Sequence, residues 1–142
     1  NAIQATTTVL KDTVIPTVGF TSTPVINNAN NAVYTFTGTC SENTRTVTVA
    51  VGAASGSGTC TTGAWSATLN VTAVPDSGTV TITANHTDLA GNNATQASIT
   101  ILKDTSNPTV SISAPVAINN TNRSAYPLSG TCSENTRTVS VS

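Results

Sequence analysis

The sequence predicts an all-β protein built as a two-layer sandwich, and three observations carry the prediction. Charged residues make up only 8% of the 142 residues and Met is absent, whereas Thr, which favours strands, and Asn and Ser, which favour turns, are abundant. Apolar and polar residues alternate along several segments, with the period of a half-buried strand. Turn signals recur about every 8–12 residues, as in sandwiches of seven short strands. A seven-stranded up-and-down barrel is the alternative.

Seven strands, A to G, follow from the alternation and from the Asn- and Gly-rich stretches between the runs. They are residues 17–22 (A), 33–40 (B), 46–51 (C), 59–61 (D), 64–71 (E), 79–87 (F) and 95–102 (G). Residues 52–58, rich in Gly and Ser, are interpreted as the turn between C and D. The residues predicted to face the core are Val18, Phe20, Tyr34, Phe36, Gly38, Cys40, Val47, Val49, Val51, Trp65, Ala67, Leu69, Val71, Val80, Ile82, Ala84, Ala97, Ile99 and Ile101.

An internal repeat with a period of 92 residues organises the chain. The tetrapeptide LKDT at residues 10–13 recurs at 102–105, and CSENTRTV at 40–47 recurs at 132–139. Without any gap, residues 1–50 and 93–142 are identical at 28 positions. Identity of this extent indicates a tandem duplication.

The phase of the repeat predicts three segments. Residues 1–12 are the last strand of a preceding repeat (2–10) plus a linker, residues 13–104 a complete repeat, and residues 105–142 the first part of the next. Because a partial sandwich cannot bury its apolar face, we interpret the chain as a window in a longer array. The alternative is a subunit whose ends complete neighbouring subunits by strand addition.

Four motifs, in the expected order, resemble those of bacterial immunoglobulin-like repeats and cover the whole predicted repeat. They are DTSNPTV at residues 104–110, GTCSEN at 38–43, GAWSATL at 63–69 and TDLAGN at 87–92. The resemblance implies immunoglobulin-like β-sandwich repeats in tandem. Such repeats build the stalks of large bacterial adhesins, surface fibres and biofilm proteins.

The cysteines predict one disulfide, between Cys40 and Cys60. Cys132 is the copy of Cys40, so its own partner is expected beyond Ser142. A repeated pair in a β-module of secreted character favours a disulfide, and closing a loop of about 20 residues stabilises the fold by roughly 3 kcal/mol in the chain-entropy model. Two buried free thiols are the alternative. Zinc is disfavoured because no CxxC motif and no second His occur.

Three acidic residues are expected at the pole where the chain enters the repeat. Asp12 lies in the incoming linker, Glu42 in the B–C loop and Asp88 in the F–G loop. A cation would relieve their repulsion, and Ca²⁺ takes carboxylate and carbonyl oxygens. Related repeats with matching aspartates hold calcium at such junctions, which the resemblance extends to Asp12 and Asp88. In the alternative, Asp12 caps a turn, Asp88 forms an Asx-turn and Glu42 pairs with Arg45.

Several function classes are disfavoured. A net charge of -1 gives no electrostatic attraction for nucleic acid or for an anionic membrane. The sequence contains no apolar run of about 18 residues, the length that would predict a membrane span. The only His, His86, is expected to pack inward, and no nucleophile motif accompanies it, so an enzyme is not predicted. Lys11 and Lys103 could form isopeptide bonds, but a polar linker is a poor site for them.

The sequence therefore predicts a structural module of an extracellular or cell-surface fibre, filament or adhesin stalk. Its partners are adjacent copies of the same repeat, joined head to tail, with filament self-assembly as a further expectation. The alternative is a ligand- or carbohydrate-binding module. Such modules usually need exposed aromatic rings, whereas Trp65, Tyr34 and Phe36 all fall on the predicted core face.

Overall fold

Strands and their connections make up the whole computed structural model, which describes residues 2–21 and 24–142. The strands are β1 (Val18–Phe20), β2 (Ile26–Asn27), β3 (Tyr34–Cys40), β4 (Thr46–Val51), β5 (Ala54–Thr59), β6 (Ala64–Leu69), β7 (Ser77–His86), β8 (Ala97–Asp104), β9 (Val110–Ile112) and β10 (Gly130–Cys132). The all-β prediction is confirmed. Among the described residues no helix is long and apolar enough to cross a membrane. The chain divides into a unit that ends at Thr105 and a second that begins at Ser106.

Two sheets face each other in the first unit. One has three antiparallel strands in the order β1-β3-β6, and the other has five in the order β2-β8-β7-β4-β5. In the second sheet only the β2–β8 pair is parallel. The architecture is an immunoglobulin-like sandwich, so the up-and-down barrel alternative is wrong.

The core lies between these sheets and follows the alternation of the sequence. The predicted side chains that are buried belong to Tyr34, Phe36, Cys40, Val47, Val49, Val51, Trp65, Ala67, Leu69, Val71, Val80, Ile82 and Ala84. The predicted residues of β1 and β8 are half-buried and pack against this cluster: Val18, Phe20, Ala97, Ile99 and Ile101. Because successive side chains of a strand point to opposite faces, period two in the sequence becomes one dry face per sheet.

Residues 54–58 belong to strand β5 rather than to the predicted turn over 52–58, so this prediction was wrong. Only Gly52, at φ 58°, and Ala53 form the turn, after which β5 pairs with β4 along its whole length. A Cβ on Gly58 would lie 2.0 Å from the carbonyl oxygen of Ser66, and one on Gly56 would lie 2.9 Å from the Leu69 side chain. Glycine is required here because β5 passes close to β6.

The first strand of the unit is divided between the sheets. β1 pairs with β3, whereas β2 pairs in parallel with β8. Ser22, the predicted end of strand A, lies outside the described residues, as does Asn1. Residues 2–10 lie in no described strand, so their assignment to a preceding repeat, like the boundaries at 12 and 104, stays a prediction.

The second unit reproduces the beginning of the first. β9 pairs with β10 through Val110 and Cys132, whereas β1 pairs with β3 through Val18 and Cys40, each 92 positions earlier. The asparagine turn before β3 recurs with the same bonds: backbone N–H of residue 27 to the side chain of Asn30 at 2.8 Å, and of residue 119 to Asn122 at 2.8 Å. The repeated sequence therefore adopts the same local structure twice.

Candidate functional site

The disulfide joins the two sheets. Cys40 ends β3 in the three-stranded sheet, and Cys60 follows β5 in the five-stranded sheet. The two are bonded, with their Cα atoms 5.9 Å apart, and both side chains are buried. The predicted disulfide is confirmed. Cys132, the copy of Cys40, is exposed and carries a free thiol.

Asp88 organises the turn between β7 and β8. Its side chain is 1% exposed. The backbone N–H of Asn92 donates to Oδ1 at 2.8 Å, and the Asn92 side-chain amide donates to Oδ2 at 2.7 Å. Burial alone would raise the pKa of Asp88, but the hydrogen bonds from Asn92, Gly91 and Ala90 outweigh it and lower the pKa. Gly91, at φ 93°, provides the left-handed conformation that lets these N–H groups converge.

The incoming linker is bonded to this turn. The Asn92 side-chain amide also donates to the backbone carbonyl of Asp12, at 3.0 Å. The Asp12 carboxylate accepts from the N–H of Val14 at 2.9 Å, which caps the linker. The predicted proximity of linker and F–G loop is present, and it runs through an amide of Asn92 that the sequence analysis did not single out.

The loop between β3 and β4 meets the same end of the sandwich through His86. The imidazole is 2% exposed, and its Nε2 accepts from the N–H of Glu42 at 3.3 Å, while Nδ1 lies 3.1 Å from the carbonyl of Thr46. Arg45 donates to the carbonyl of Thr87 at 3.3 Å. The alternative pairing of Glu42 with Arg45 is not formed, since the ion pair present among the described residues joins Lys103 and Asp76.

The carboxylates of Asp12 and Asp88 are already engaged in hydrogen bonds. Both Asp88 oxygens and one Asp12 oxygen already accept N–H donors, which a cation would have to displace. Within residues 2–21 and 24–142, no three His, Cys, Asp or Glu side chains are grouped so that they could hold a metal ion. In the structure Asp12 and Asp88 both accept backbone N–H groups of nearby residues, as the turn-capping alternatives propose. Calcium binding at Asp12, Glu42 and Asp88 itself stays a prediction.

The exit end of the unit holds a cluster that sequence reasoning missed. Lys103 is 3% exposed, and its Nζ lies 2.8 Å from Oδ1 of Asp76, in the loop before β7. Asp76 also accepts from the backbone N–H of Thr105 at 3.0 Å and from its hydroxyl at 2.8 Å. The hydrogen bond from Lys103, followed by those from Thr105, lowers the pKa of Asp76 from 3.8 to about 2. Lys103 and Asp76 therefore form an ion pair.

Because of Asp76, the protein should become less stable as the pH is lowered into the acid range. Its folded pKa of about 2 lies below the ordinary aspartate pKa of 3.8, so its stabilising effect is complete above about pH 4 and is lost as the pH falls towards 2. Asp76→Asn should therefore lower the melting temperature at neutral pH, and the gap to the wild-type protein should close in acid. Circular dichroism melts between about pH 7 and pH 2 test this. A gap that stays constant contradicts the assignment.

Comparison with known proteins bears on the fold. A scan against protein-family models finds no match, and a search of curated proteins finds none. Among solved structures, the chain is similar to the crystal structure of a bacterial immunoglobulin-like domain from the M. primoryensis ice-binding adhesin. The two are 22% identical with a TM-score of 0.51, over 65% of this chain and 100% of that one. The predicted fold family is thus supported by an experimental structure.

Proposed function

We propose that this chain is a structural repeat module of an extracellular bacterial fibre, filament or adhesin stalk, in which it supplies length and rigidity. The positions of the two linkers carry the proposal. The incoming linker at Asp12 is bonded to Asn92, which follows β7, and the outgoing linker at Thr105 is bonded to Asp76, which precedes β7. The ten residues of β7 rise about 30 Å. The chain enters at one end of the sandwich and leaves at the other, so each further copy lengthens the array.

Repetition supports the same proposal. The first 50 residues recur once, 92 positions later, with 28 identities, and β9 and β10 pair in the register of β1 and β3. The partners it implies are adjacent copies of the repeat, joined head to tail. Head-to-tail contacts between like units form open filaments unless their rotation closes a ring.

The disulfide and the similar domain support an extracellular or cell-surface location. Disulfides persist in oxidising environments outside the cytosol, and the similar solved domain comes from an adhesin. We assign no catalytic role, since both ring nitrogens of His86 are engaged with backbone groups. The carbohydrate-binding alternative has less support because Trp65, Tyr34 and Phe36 are buried in the core.

The test is to vary the number of copies. Chains in which residues 13–104 occur once, twice or three times should increase in maximum dimension by about 35–45 Å per copy, the length of one sandwich plus linker. Small-angle X-ray scattering measures that dimension. A maximum dimension that grows only as slowly as that of a compact globule contradicts the proposed stalk. Binding to a glycan array by the single-copy chain, abolished by denaturation, would favour the alternative.

A further inference from the structure

The tripeptide Lys-Asp-Thr occurs in both linkers, at residues 11–13 and 103–105, but in different surroundings. At the second position Lys103 is 3% exposed and paired with Asp76, and Thr105 gives two hydrogen-bond donors to the same carboxylate. At the first position Lys11 and Thr13 are exposed. The Lys and Thr side chains of the tripeptide are therefore bonded to Asp76 at the end of the repeat and exposed at its start.

Asp12, the middle residue of the first tripeptide, is bound by the repeat that follows it rather than by one that precedes it. The carbonyl of Asp12 accepts from the Asn92 amide of the repeat that follows it in the chain. Asn92 is itself fixed, because its backbone N–H and its side-chain amide both donate to Asp88. A donor fixed in this way binds a carbonyl without losing much conformational entropy.

We propose that the Lys-Asp-Thr linker is a two-sided clip between successive repeats. The preceding repeat holds the Lys and the Thr through its Asp76, and the following repeat holds the Asp carbonyl through its Asn92. The binding partner of the exposed Lys11 and Thr13 is then a second copy of this repeat, through the carboxylate of its E–F loop. This inference rests on the proposed head-to-tail array and specifies what stiffens its junctions.

The geometry of β8 makes the clip continuous with the sandwich. Lys103 lies on the same face of its strand as Ile99 and Ile101, which pack against the core. Its aliphatic stem therefore extends the apolar row while the ammonium group meets Asp76. The two partners of the ion pair differ in exposure, since the Lys103 side chain is 2% exposed and the Asp76 side chain 35%. Salt should therefore weaken the pair in part, and protonation of Asp76 in acid should remove it.

A chain with residues 13–104 present twice allows matched variants, because each substitution can be placed in either copy. Asp76 faces the central linker only from the first copy, and Asn92 faces it only from the second. Asp76→Asn in the first copy and Asn92→Ala in the second should disrupt the clip. The same substitutions in the opposite copies disturb an equivalent repeat but leave the central clip intact, and they are the controls.

Limited trypsin digestion, followed by mass spectrometry, reports on the clip through cleavage after the central linker lysine. Cleavage after Lys11 in the unsubstituted doubled chain, in the identical but exposed tripeptide, is the reference rate for all variants. We expect the central site to be cut at least about tenfold more slowly than Lys11. Asp76→Asn in the first copy should remove most of that protection, and Asn92→Ala in the second copy should raise the rate several-fold. The controls should leave it unchanged.

The Asn92 comparison is decisive, because only it requires a contact between two repeats. Equal cleavage with Asn92→Ala in the first or the second copy overturns the two-sided clip. Scattering data on the same chains separate this result from failure of the stalk itself. If the doubled chain is extended but Asn92→Ala has no effect, the array stands without the clip; if it is not extended, the proposed function fails first.

Discussion

Replacing Trp65 with alanine should lower the free energy of unfolding by about 3–5 kcal/mol, as for other buried large aromatic residues. The indole is 3% exposed and lies against Gly38, where a Cβ would approach the ring to 2.5 Å. Its ring packs edge-on with Phe20, at a centroid distance of 5.4 Å. Its Nε1–H donates to the carbonyls of Gly19 and Thr39, both at 3.1 Å. One side chain therefore links β1, β3 and β6.

Urea denaturation followed by far-ultraviolet circular dichroism measures this loss. Tryptophan fluorescence cannot be used, because the substitution removes the only Trp. Trp65→Phe should be intermediate, since it keeps most of the apolar contact but loses the N–H donor. Ser66→Ala, on the exposed face of the same strand, should change stability by less than about 0.5 kcal/mol. A loss below about 1 kcal/mol for Trp65→Ala contradicts the central role of the indole.

Removing the disulfide should have the second large effect. Cys40 and Cys60 are 20 residues apart, so the chain-entropy model gives a loss of about 3 kcal/mol. For a domain of this size that corresponds to a fall of roughly 10–20 °C in Tm. The double variant Cys40→Ala/Cys60→Ala, in a Cys132→Ser background that removes the free thiol, should match the reduced parent protein.

Calorimetry with and without a reducing agent tests this expectation. The reductant should lower Tm in the parent and leave the double variant unaffected, which is the internal control. Equal Tm values for the parent protein in both conditions would show that the two sheets hold this end of the sandwich together without the covalent link.

The alternation of side chains predicted β3, β4 and β6 almost to the residue, because these strands have one dry and one wet face. It failed for β5, where Gly56 and Gly58 give no apolar pattern. Their reason is the close approach of β6, a contact between segments that propensity does not register. The pairing of β2 with β8 was missed for a similar cause, since two residues are too few to form a pattern.

The candidate sites were predictable where strand order alone decides. That order placed Asp12 and Asp88 at one end, and Asn92 joins them there. It could not tell whether the carboxylates would bind a cation or N–H donors, since both use the same oxygens. The Lys103–Asp76 pair had an available signal: Lys103 continues the inward parity of Ala97, Ile99 and Ile101. Reading the lysine only as part of a polar linker concealed it.

The disulfide also determines how a repeat carries tension. When opposite ends of the module are pulled apart, the covalent path passes from Cys40 through the two sulfurs to Cys60. Residues 41–59, which include all of β4 and β5, are then bypassed and bear no load. A fully unravelled repeat is shorter by about 60 Å than it would be with free thiols, at roughly 3.4 Å per residue. In the proposed fibre, oxidised modules in series would limit how far the fibre can stretch, and a reductant would raise that limit without cutting the backbone.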